Sequence, residues 1–148
     1  MLFRSDITME CTIHWVPGTG MGFVAETGSG HLLTMDGAVD GGGRNLGPRP
    51  METLLAGAGA CTAYDVVLIL KRGRHDVTGC EVKVQADRAE ADPKVFTRIN
   101  LHFTVRGRGL TDAVVARAIS LSHDKYCSGT IMLSKTAEIS TSHEIISA

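Results

Sequence analysis

The sequence predicts an α+β fold in which an antiparallel sheet packs on one long central helix that carries Cys61. Segments with strand periodicity occur in groups and are separated by helices, instead of alternating one by one with them. One apolar stretch, residues 54–70, is hydrophobic on nearly all sides, as expected for a buried central helix. The 148 residues suit a single domain, 1–148, with a core of its own.

The first part of the chain predicts three strands and a loop. Apolar and polar side chains alternate over residues 9–15, which is the period of a half-buried strand. Residues 21–25 and 31–35 predict two more strands, joined by a glycine-rich turn. Residues 36–50 are rich in glycine and proline and therefore predict a loop.

Proline and glycine mark the ends of the predicted central helix. Pro50 suits the first helical turn, and Gly73 suits the position that follows the last turn, after Lys71 and Arg72. Glycines and alanines around Cys61 lower the helix propensity. Their presence predicts that another backbone approaches the helix closely at this point.

The second part of the chain predicts a hairpin, a helix and a last strand. Residues 80–87 and 98–105 alternate between apolar and polar side chains and are joined by a proline-containing turn, so they predict an antiparallel hairpin. Thr111 is a good N-cap for a helix over residues 112–126. Residues 137–145 predict the last strand.

Charge and composition exclude several kinds of partner. The net charge is -1 and the basic residues are scattered, so we expect no nucleic-acid partner. Arg4, Asp6 and Glu10 interrupt any apolar leader segment. Residues 54–70 are too short and too polar for a membrane span, so we expect a cytoplasmic protein without a membrane partner. Glycines 41–43 lack the strand-to-helix context of a phosphate-binding loop, and we expect no cofactor.

The four cysteines show no CxxC spacing, which predicts reduced thiols instead of a disulfide scaffold. Cys11 and Cys80 fall on the apolar side of strands and are expected to be small core residues. Cys61 lies within a helix, and Cys127 follows the second helix, before a Ser-Gly pair that predicts a helix stop. Their positions alone leave both a reactive thiol and a core residue open.

Charged neighbours distinguish these last two cysteines. Asp65 lies four residues after Cys61 on the same helix face, where an ionised carboxylate would oppose a thiolate. His123 and Lys125 precede Cys127 and favour a thiolate there. A metal site built from the two cysteines with Asp65 and His123 is a further hypothesis, although exposed helix residues are the simpler interpretation. We therefore expect no bound metal.

Two segments resemble those of a known family. Residues 49–67, Arg-Pro-Met-Glu-Thr-Leu-Leu-Ala-Gly-Ala-Gly-Ala-Cys-Thr-Ala-Tyr-Asp-Val-Val, resemble the cysteine-bearing helix of the OsmC/Ohr family, the osmotically inducible and organic hydroperoxide resistance proteins. Residues 122–128, Ser-His-Asp-Lys-Tyr-Cys-Ser, resemble its second cysteine region. The similarity extends over nearly the whole chain, and residues 65–67, 71–74 and 100–103 resemble most the YhfA-like branch.

The resemblance implies an OsmC-like fold, an intertwined homodimer and an active site at each interface between subunits. It also implies the reduction of organic or inorganic hydroperoxides. By resemblance, Cys61 is the peroxidatic thiol, which the peroxide oxidises to a sulfenic acid, and Cys127 is the resolving thiol. The two then condense to a disulfide, which a cellular dithiol reduces.

Two positions depart from the family pattern. Hydroperoxide reductases of this family carry a glutamate directly after the proline, where this chain has Met51. Glu52 follows and is the third predicted site residue. These enzymes also carry an arginine in an early strand region, whereas residues 16–30 of this chain contain none. Arg44 and Arg49 are therefore the candidate replacement cations.

A non-catalytic function is the rival hypothesis. The same scaffold would serve as a redox-sensing dimer, or would bind a lipophilic ligand in a cleft lined by the apolar helix. Replacement of Cys61 by serine separates the hypotheses, because it removes peroxide reduction but leaves ligand binding in place.

Overall fold

The computed structural model describes residues 8–148. The chain divides into two compact units, of which the first ends at Leu54 and the second runs from Leu55 to Ala148. Helix α1 (Pro50–Arg72) crosses the boundary between them. Strands and helices are segregated along the chain, which confirms the predicted α+β class. A single domain over residues 1–148 stays a prediction.

A three-stranded antiparallel sheet forms the first unit, with β2 in the centre. Its strands are β1 (Cys11–Trp15), β2 (Gly22–Thr27) and β3 (Leu32–Asp36). The register places Ala25 opposite both Ile13 and Leu33. All three strands lie within one or two residues of the predicted bounds, because alternation and glycine-rich turns are local signals.

Strand β1 lies at the edge of this sheet, and all five of its residues are exposed. The expectation that Cys11 is a core residue is therefore wrong for this chain. The alternation is present, but Ile13 and Trp15 remain 52% and 54% exposed. Alternation shows that the two faces of a strand differ in polarity, but it does not show whether another part of the protein packs on the apolar face.

Asp36 organises the loop that follows β3, which contains a turn of 3-10 helix at Val39–Gly41. Its buried carboxylate accepts the backbone N–H groups of Gly37, Arg44 and Leu46 at 2.8, 3.0 and 3.1 Å. These bonds, the one from Leu46 first, hold the pKa of Asp36 below its ordinary value. The backbone of the glycine-rich loop therefore folds around the Asp36 carboxylate.

Asp36→Asn is expected to lower the stability of the protein and to flatten its acid pH dependence. Because the pKa of Asp36 is lowered in the folded state, the carboxylate adds stability above about pH 4. This stability is lost as the pH falls through the folded-state pKa. Urea unfolding at pH 7 and pH 3 measures both effects. The matched control is Asp40→Asn, at an exposed carboxylate of the same loop, and identical pH profiles for the two variants would contradict the prediction.

Helix α1 begins at the predicted Pro50 and ends directly before Gly73. It has 23 residues, and its length and composition alone would allow it to cross a membrane. The prediction that its apolar stretch is too short and too polar for a membrane span was therefore wrong. The core helix of a globular protein meets the same criterion. Only 28% of its most apolar 18-residue window is buried in this chain, with Thr62, Val66 and Leu70 among the buried residues, so the prediction of a helix buried on nearly all sides is wrong for this chain.

A second three-stranded sheet lies in the second unit, with β5 in the centre. Its strands are β4 (Asp76–Arg88), β5 (Phe96–Arg108) and β6 (Glu138–Ser147). The β4–β5 hairpin is antiparallel as predicted, whereas β6 pairs with β5 in parallel. This corrects the prediction of an antiparallel sheet for the last strand. Parallel neighbours need a long crossover connection, and the helices between β5 and β6 provide it.

The two faces of this second sheet differ in polarity. Leu101, Phe103 and Val105 of β5 are buried, as the alternation predicts. The opposite face carries polar side chains that hydrogen-bond between β5 and β6. A surface cavity of about 730 Å³ lies on this polar face, and neither Cys61 nor Cys127 lines it. The two thiols therefore lie outside this cavity.

The crossover from β5 to β6 contains α2 (Asp112–Leu121), a π-helical turn at Ser122–Tyr126 (the π-turn) and α3 (Ser128–Leu133). Thr111 caps α2 as predicted, because its side chain accepts the N–H of Val114 at 3.3 Å. The predicted helix over residues 112–126 thus ends in a widened turn. Ser128 and Gly129, which predicted a helix stop, begin a short helix instead, because Cys127 supplies the N-cap.

Candidate active site

Cys61 lies in the middle of α1, where small residues allow a second backbone to approach. Ala58 and Gly59 are buried one turn earlier. A β-carbon on Gly129 of α3 would stand only 3.1 Å from the Ala58 Cα and 3.6 Å from the Cys61 Cβ. The predicted close approach is therefore confirmed, and the first turn of α3 makes it. Cys61 itself is half-buried.

Cys127 ends the π-turn and caps α3. Its Sγ accepts the backbone N–H of Thr130 at 3.3 Å, and its thiol points to the carbonyl oxygen of Ala58 on α1 at 4.0 Å. Its own backbone N–H donates to the Ser122 carbonyl at 2.7 Å. The side chain is fully buried, with 0% exposed. Three different elements thus hold this cysteine in place.

Cys61 and Cys127 are neighbours, because Cys127 caps the helix whose first turn packs beside Cys61, and both thiols are reduced. Burial is the main cause that raises the pKa of Cys127, and the neighbouring Cys61 raises it further. The hydrogen bonds with Thr130 offset part of this rise. Cys127 is therefore a neutral thiol at neutral pH, whereas Cys61 is the member of the pair that is partly exposed to solvent.

Iodoacetamide is expected to modify Cys61 severalfold faster than Cys127 at pH 7, because the thiolate is the reacting form and access is required. Cys61 is partly exposed, and the buried Cys127 has a raised pKa. The thiolate of Cys127 forms only in alkaline solution, so the ratio of the two rates should narrow as the pH rises. Peptide mapping by mass spectrometry after timed quenching measures both rates, with the exposed Cys11 as reference. Equal rates at pH 7 would refute this expectation.

A polar network beside the thiols joins α1 to the π-turn. The Ser122 hydroxyl donates to Asp65 Oδ2 at 2.9 Å. Because a hydroxyl has one proton to donate, Thr62 Oγ1, 2.8 Å from Ser122 Oγ, must be the donor in their hydrogen bond. Asp65 shares a helix face with Cys61, but its carboxylate is engaged by the π-turn. The Asp65 carboxylate, which would oppose a Cys61 thiolate, is thus stabilised in part by a hydrogen bond from the π-turn.

Sequence reasoning singled out Asp65 but missed its partners. The hydrogen bonds of Ser122 to Asp65 and to Thr62 span 57 and 60 residues of chain. No helix or strand period connects residues so far apart. The available signal was the polar side chain of Thr62 in a largely apolar stretch of the helix, since a buried polar group requires a hydrogen-bond partner.

Glu52, the third predicted site residue, lies in the first turn of α1 and belongs to the first unit. Its Oε1 accepts the backbone N–H of Arg49 at 3.0 Å and pairs with Arg49 Nη1 at 3.4 Å. The backbone hydrogen bond first, and the guanidinium second, lower the pKa of Glu52. This is the return contact of a capping box at a helix start. A part for Glu52 in the chemistry of Cys61 stays a prediction.

The two candidate cations have partners within the first unit. Arg49 pairs with Glu52, and both side chains are about half exposed. Arg44 donates from Nη1 to the carbonyl oxygen of Gly18 at 3.2 Å. Both arginines thus stabilise loops or helix ends in this chain, and their action on a thiolate stays a prediction.

The four residues of the metal hypothesis do not form a metal site. Across residues 8–148, no three side chains of His, Cys, Asp or Glu are grouped so that they could hold a metal ion. Asp65 is bound by Ser122 instead. The Nδ1 atom of His123 is buried and lacks a hydrogen-bond partner among the described residues.

Comparison with known proteins identifies the family. Residues 41–142 match the family model described as OsmC-like protein. Protein YhfA from Escherichia coli (strain K12) is 49% identical over 140 residues, which cover 95% of this chain and 100% of that protein. The sequence match therefore extends over both the helix that carries Cys61 and the segment that carries Cys127.

Two solved structures share the fold at lower sequence identity. An OsmC-like protein from Mycoplasma pneumoniae superposes with a TM-score of 0.79 at 16% identity, over 95% of this chain and 99% of that one. An organic hydroperoxide resistance protein OsmC from Legionella pneumophila gives 0.69 at 15% identity, also over 95% and 99%. These two similarities establish the fold. Together with the family match and the identity to YhfA, they show that the chain belongs to the OsmC family.

Proposed function

We propose that this protein reduces hydroperoxides through Cys61 and Cys127. The observation that carries the proposal is that Cys127 caps α3, whose first turn packs against α1 beside Cys61, so that a partly exposed and a buried reduced thiol are neighbours. Membership of the OsmC family supports it, as does the likeness to a structure named an organic hydroperoxide resistance protein.

In the proposed reaction, the Cys61 thiolate attacks one oxygen of the hydroperoxide ROOH. The O–O bond breaks, the leaving alkoxide takes up a proton to give the alcohol ROH, and Cys61 becomes a sulfenic acid. The Cys127 sulfur then attacks the sulfenic sulfur, which forms the disulfide and releases water. A cellular dithiol returns both residues to thiols by exchange and is itself oxidised to a disulfide.

The raised pKa of Cys127 suits the second step of this sequence. As a neutral buried thiol, Cys127 does not compete with Cys61 for the peroxide. Burial is the main cause of the raised pKa of Cys127, and the charge of the neighbouring Cys61 is a smaller one. A sulfenic acid is neutral at its sulfur, so oxidation of Cys61 removes the smaller cause.

One equivalent of an organic hydroperoxide is expected to convert the pair into a Cys61–Cys127 disulfide. Mass spectrometry of peptides digested without reductant detects it, and dithiothreitol should return both thiols. Cys11 and Cys80, which have no part in the proposed chemistry, should stay reduced and serve as internal controls. Recovery of Cys61 and Cys127 as unmodified thiols after this treatment would exclude the proposed function.

We also propose that the protein is a homodimer, as the resemblance implies. Several large apolar side chains of the first-unit sheet are solvent-exposed, among them Ile13, Trp15 and Leu33 at 52%, 54% and 40%. Exposed apolar patches of this kind are typical of protein interfaces. Light scattering should give about twice the chain mass of 15.8 kDa. Trp15→Glu should shift this mass toward that of a monomer, and a wild-type monomer at micromolar concentration would contradict the proposal.

A second candidate function is that of a redox sensor or a carrier of a lipophilic ligand. Tyr64 on α1 and Met132 on α3 are 66% and 72% exposed, which favours an apolar partner at the helices that carry the thiols. The number of peroxide equivalents consumed per protein distinguishes a hydroperoxide reductase from a sensor or carrier. A reductase consumes many equivalents of peroxide when dithiothreitol is present, whereas a slowly recycled sensor consumes about one equivalent in the same time.

A further inference from the structure

We infer that Ser122 is a positioning residue that holds Cys127 within reach of Cys61, an inference that rests on the proposed function. Ser122 is fully buried, with 0% exposed. Its side chain is bonded to α1, on which Cys61 lies, and its main chain is bonded to Cys127. One residue thus connects the two halves of the thiol pair.

The side-chain connection has two hydrogen bonds on opposite sides of the Ser122 hydroxyl. Ser122 donates to Asp65 Oδ2 at 2.9 Å and accepts from Thr62 Oγ1 at 2.8 Å. Thr62 directly follows Cys61, and Asp65 lies one helical turn further on. Two bonds to neighbouring turns fix the position of Ser122 along the helix as well as around it.

The main-chain connection is the bond that closes the π-turn, from the Cys127 N–H to the Ser122 carbonyl at 2.7 Å. A π-turn is rare in proteins and is often found at functional sites. Its widened geometry here ends at Cys127, which then turns its sulfur toward α1 and caps α3. Because Ser122 is bonded to α1, its hydrogen bond to the Cys127 backbone fixes the position of Cys127 relative to α1.

Disulfide formation depends strongly on this arrangement. Two cysteines can be bridged only when their β-carbons lie within a narrow range of distances. A displacement of the reacting groups by about 1 Å costs up to roughly a hundredfold in rate. Loss of the Ser122 hydroxyl leaves the buried Thr62 hydroxyl without its acceptor and loosens the π-turn from α1. Attack of Cys61 on the peroxide is a separate, earlier step that does not involve Cys127.

Competition with dimedone, which traps sulfenic acids, measures the positioning effect. Wild type, Ser122→Ala and the isosteric Thr62→Val are oxidised with cumene hydroperoxide in the presence of dimedone. The ratio of dimedone adduct at Cys61 to Cys61–Cys127 disulfide is then read by mass spectrometry. We expect the ratio to rise roughly tenfold in both variants. Because the ratio compares two fates of the same sulfenic acid, it does not depend on how fast Cys61 is oxidised.

The matched control is Ser120→Ala, at an exposed serine of α2 just before Ser122, which should leave the ratio unchanged. Ser122→Thr keeps the hydroxyl and should restore part of the wild-type ratio. A wild-type ratio in folded Ser122→Ala and Thr62→Val would overturn the inference, even if their melting temperatures fall. Failure of wild-type Cys61 to be oxidised at all would overturn the proposed function, and the two failures are thus distinguishable.

Discussion

Replacing Cys61 by serine is expected to abolish hydroperoxide reduction, with turnover falling by roughly three orders of magnitude or more. A serine hydroxyl is a weak nucleophile at neutral pH and forms no sulfenic acid. The remaining thiol of the pair, Cys127, is buried and has a raised pKa, so it cannot take over the reaction. The measurement is the loss of an organic hydroperoxide in the presence of dithiothreitol, corrected for the dithiol alone.

Three further serine variants complete this experiment. Cys127→Ser should still react with one equivalent of peroxide, but Cys61 should then remain a sulfenic acid that dimedone traps. Cys11→Ser, at an exposed edge-strand position, and Cys80→Ser, at a half-buried one, should turn over like wild type. Wild-type turnover by Cys61→Ser would remove this thiol from the proposed mechanism.

Gly129→Ala is expected to destabilise the protein by about 1–3 kcal/mol, the usual cost of forcing an extra methyl group into a packed interior. The new β-carbon would stand 3.1 Å from the Ala58 Cα, which is backbone of α1 and cannot rotate away. The first turn of α3 must therefore move off α1, and Cys127, which caps α3, moves with it. Urea unfolding of the reduced protein measures the first effect. Slower disulfide formation after oxidation of Cys61 measures the second.

Gly57→Ala is the matched control for this substitution. Gly57 lies on α1, one turn before Cys61, and a β-carbon there meets no other described residue within 4 Å. Replacement of an exposed helical glycine by alanine typically stabilises by about 0.5–1 kcal/mol. The two variants should therefore change stability in opposite directions. A loss of stability in both would show that the close packing at Gly129 is not the cause.

Much of the fold was predictable from local patterns. The strands of both sheets and the ends of α1 follow from alternation, proline and glycine, which act over a few residues. The parallel pairing of β6 was not predictable from its own residues, because the direction of a strand depends on the connection that precedes it. The exposure of Cys11 was likewise not predictable, because it depends on what packs against β1.

The candidate site shows the same division. The resemblance pointed to Cys61 and Cys127 as a pair, and to Glu52 as a further site residue, which stays a prediction. The sequence by itself determined that Cys61 lies on an apolar helix of small residues and that Cys127 follows a second helix. Only the tertiary structure decided that Cys127 caps α3, that Gly129 rests on Ala58, and that Ser122 joins the two cysteines. The physical reason is that these contacts join residues distant along the chain, such as Cys127 and Ala58 at a separation of 69 residues, and arise only when the helices pack.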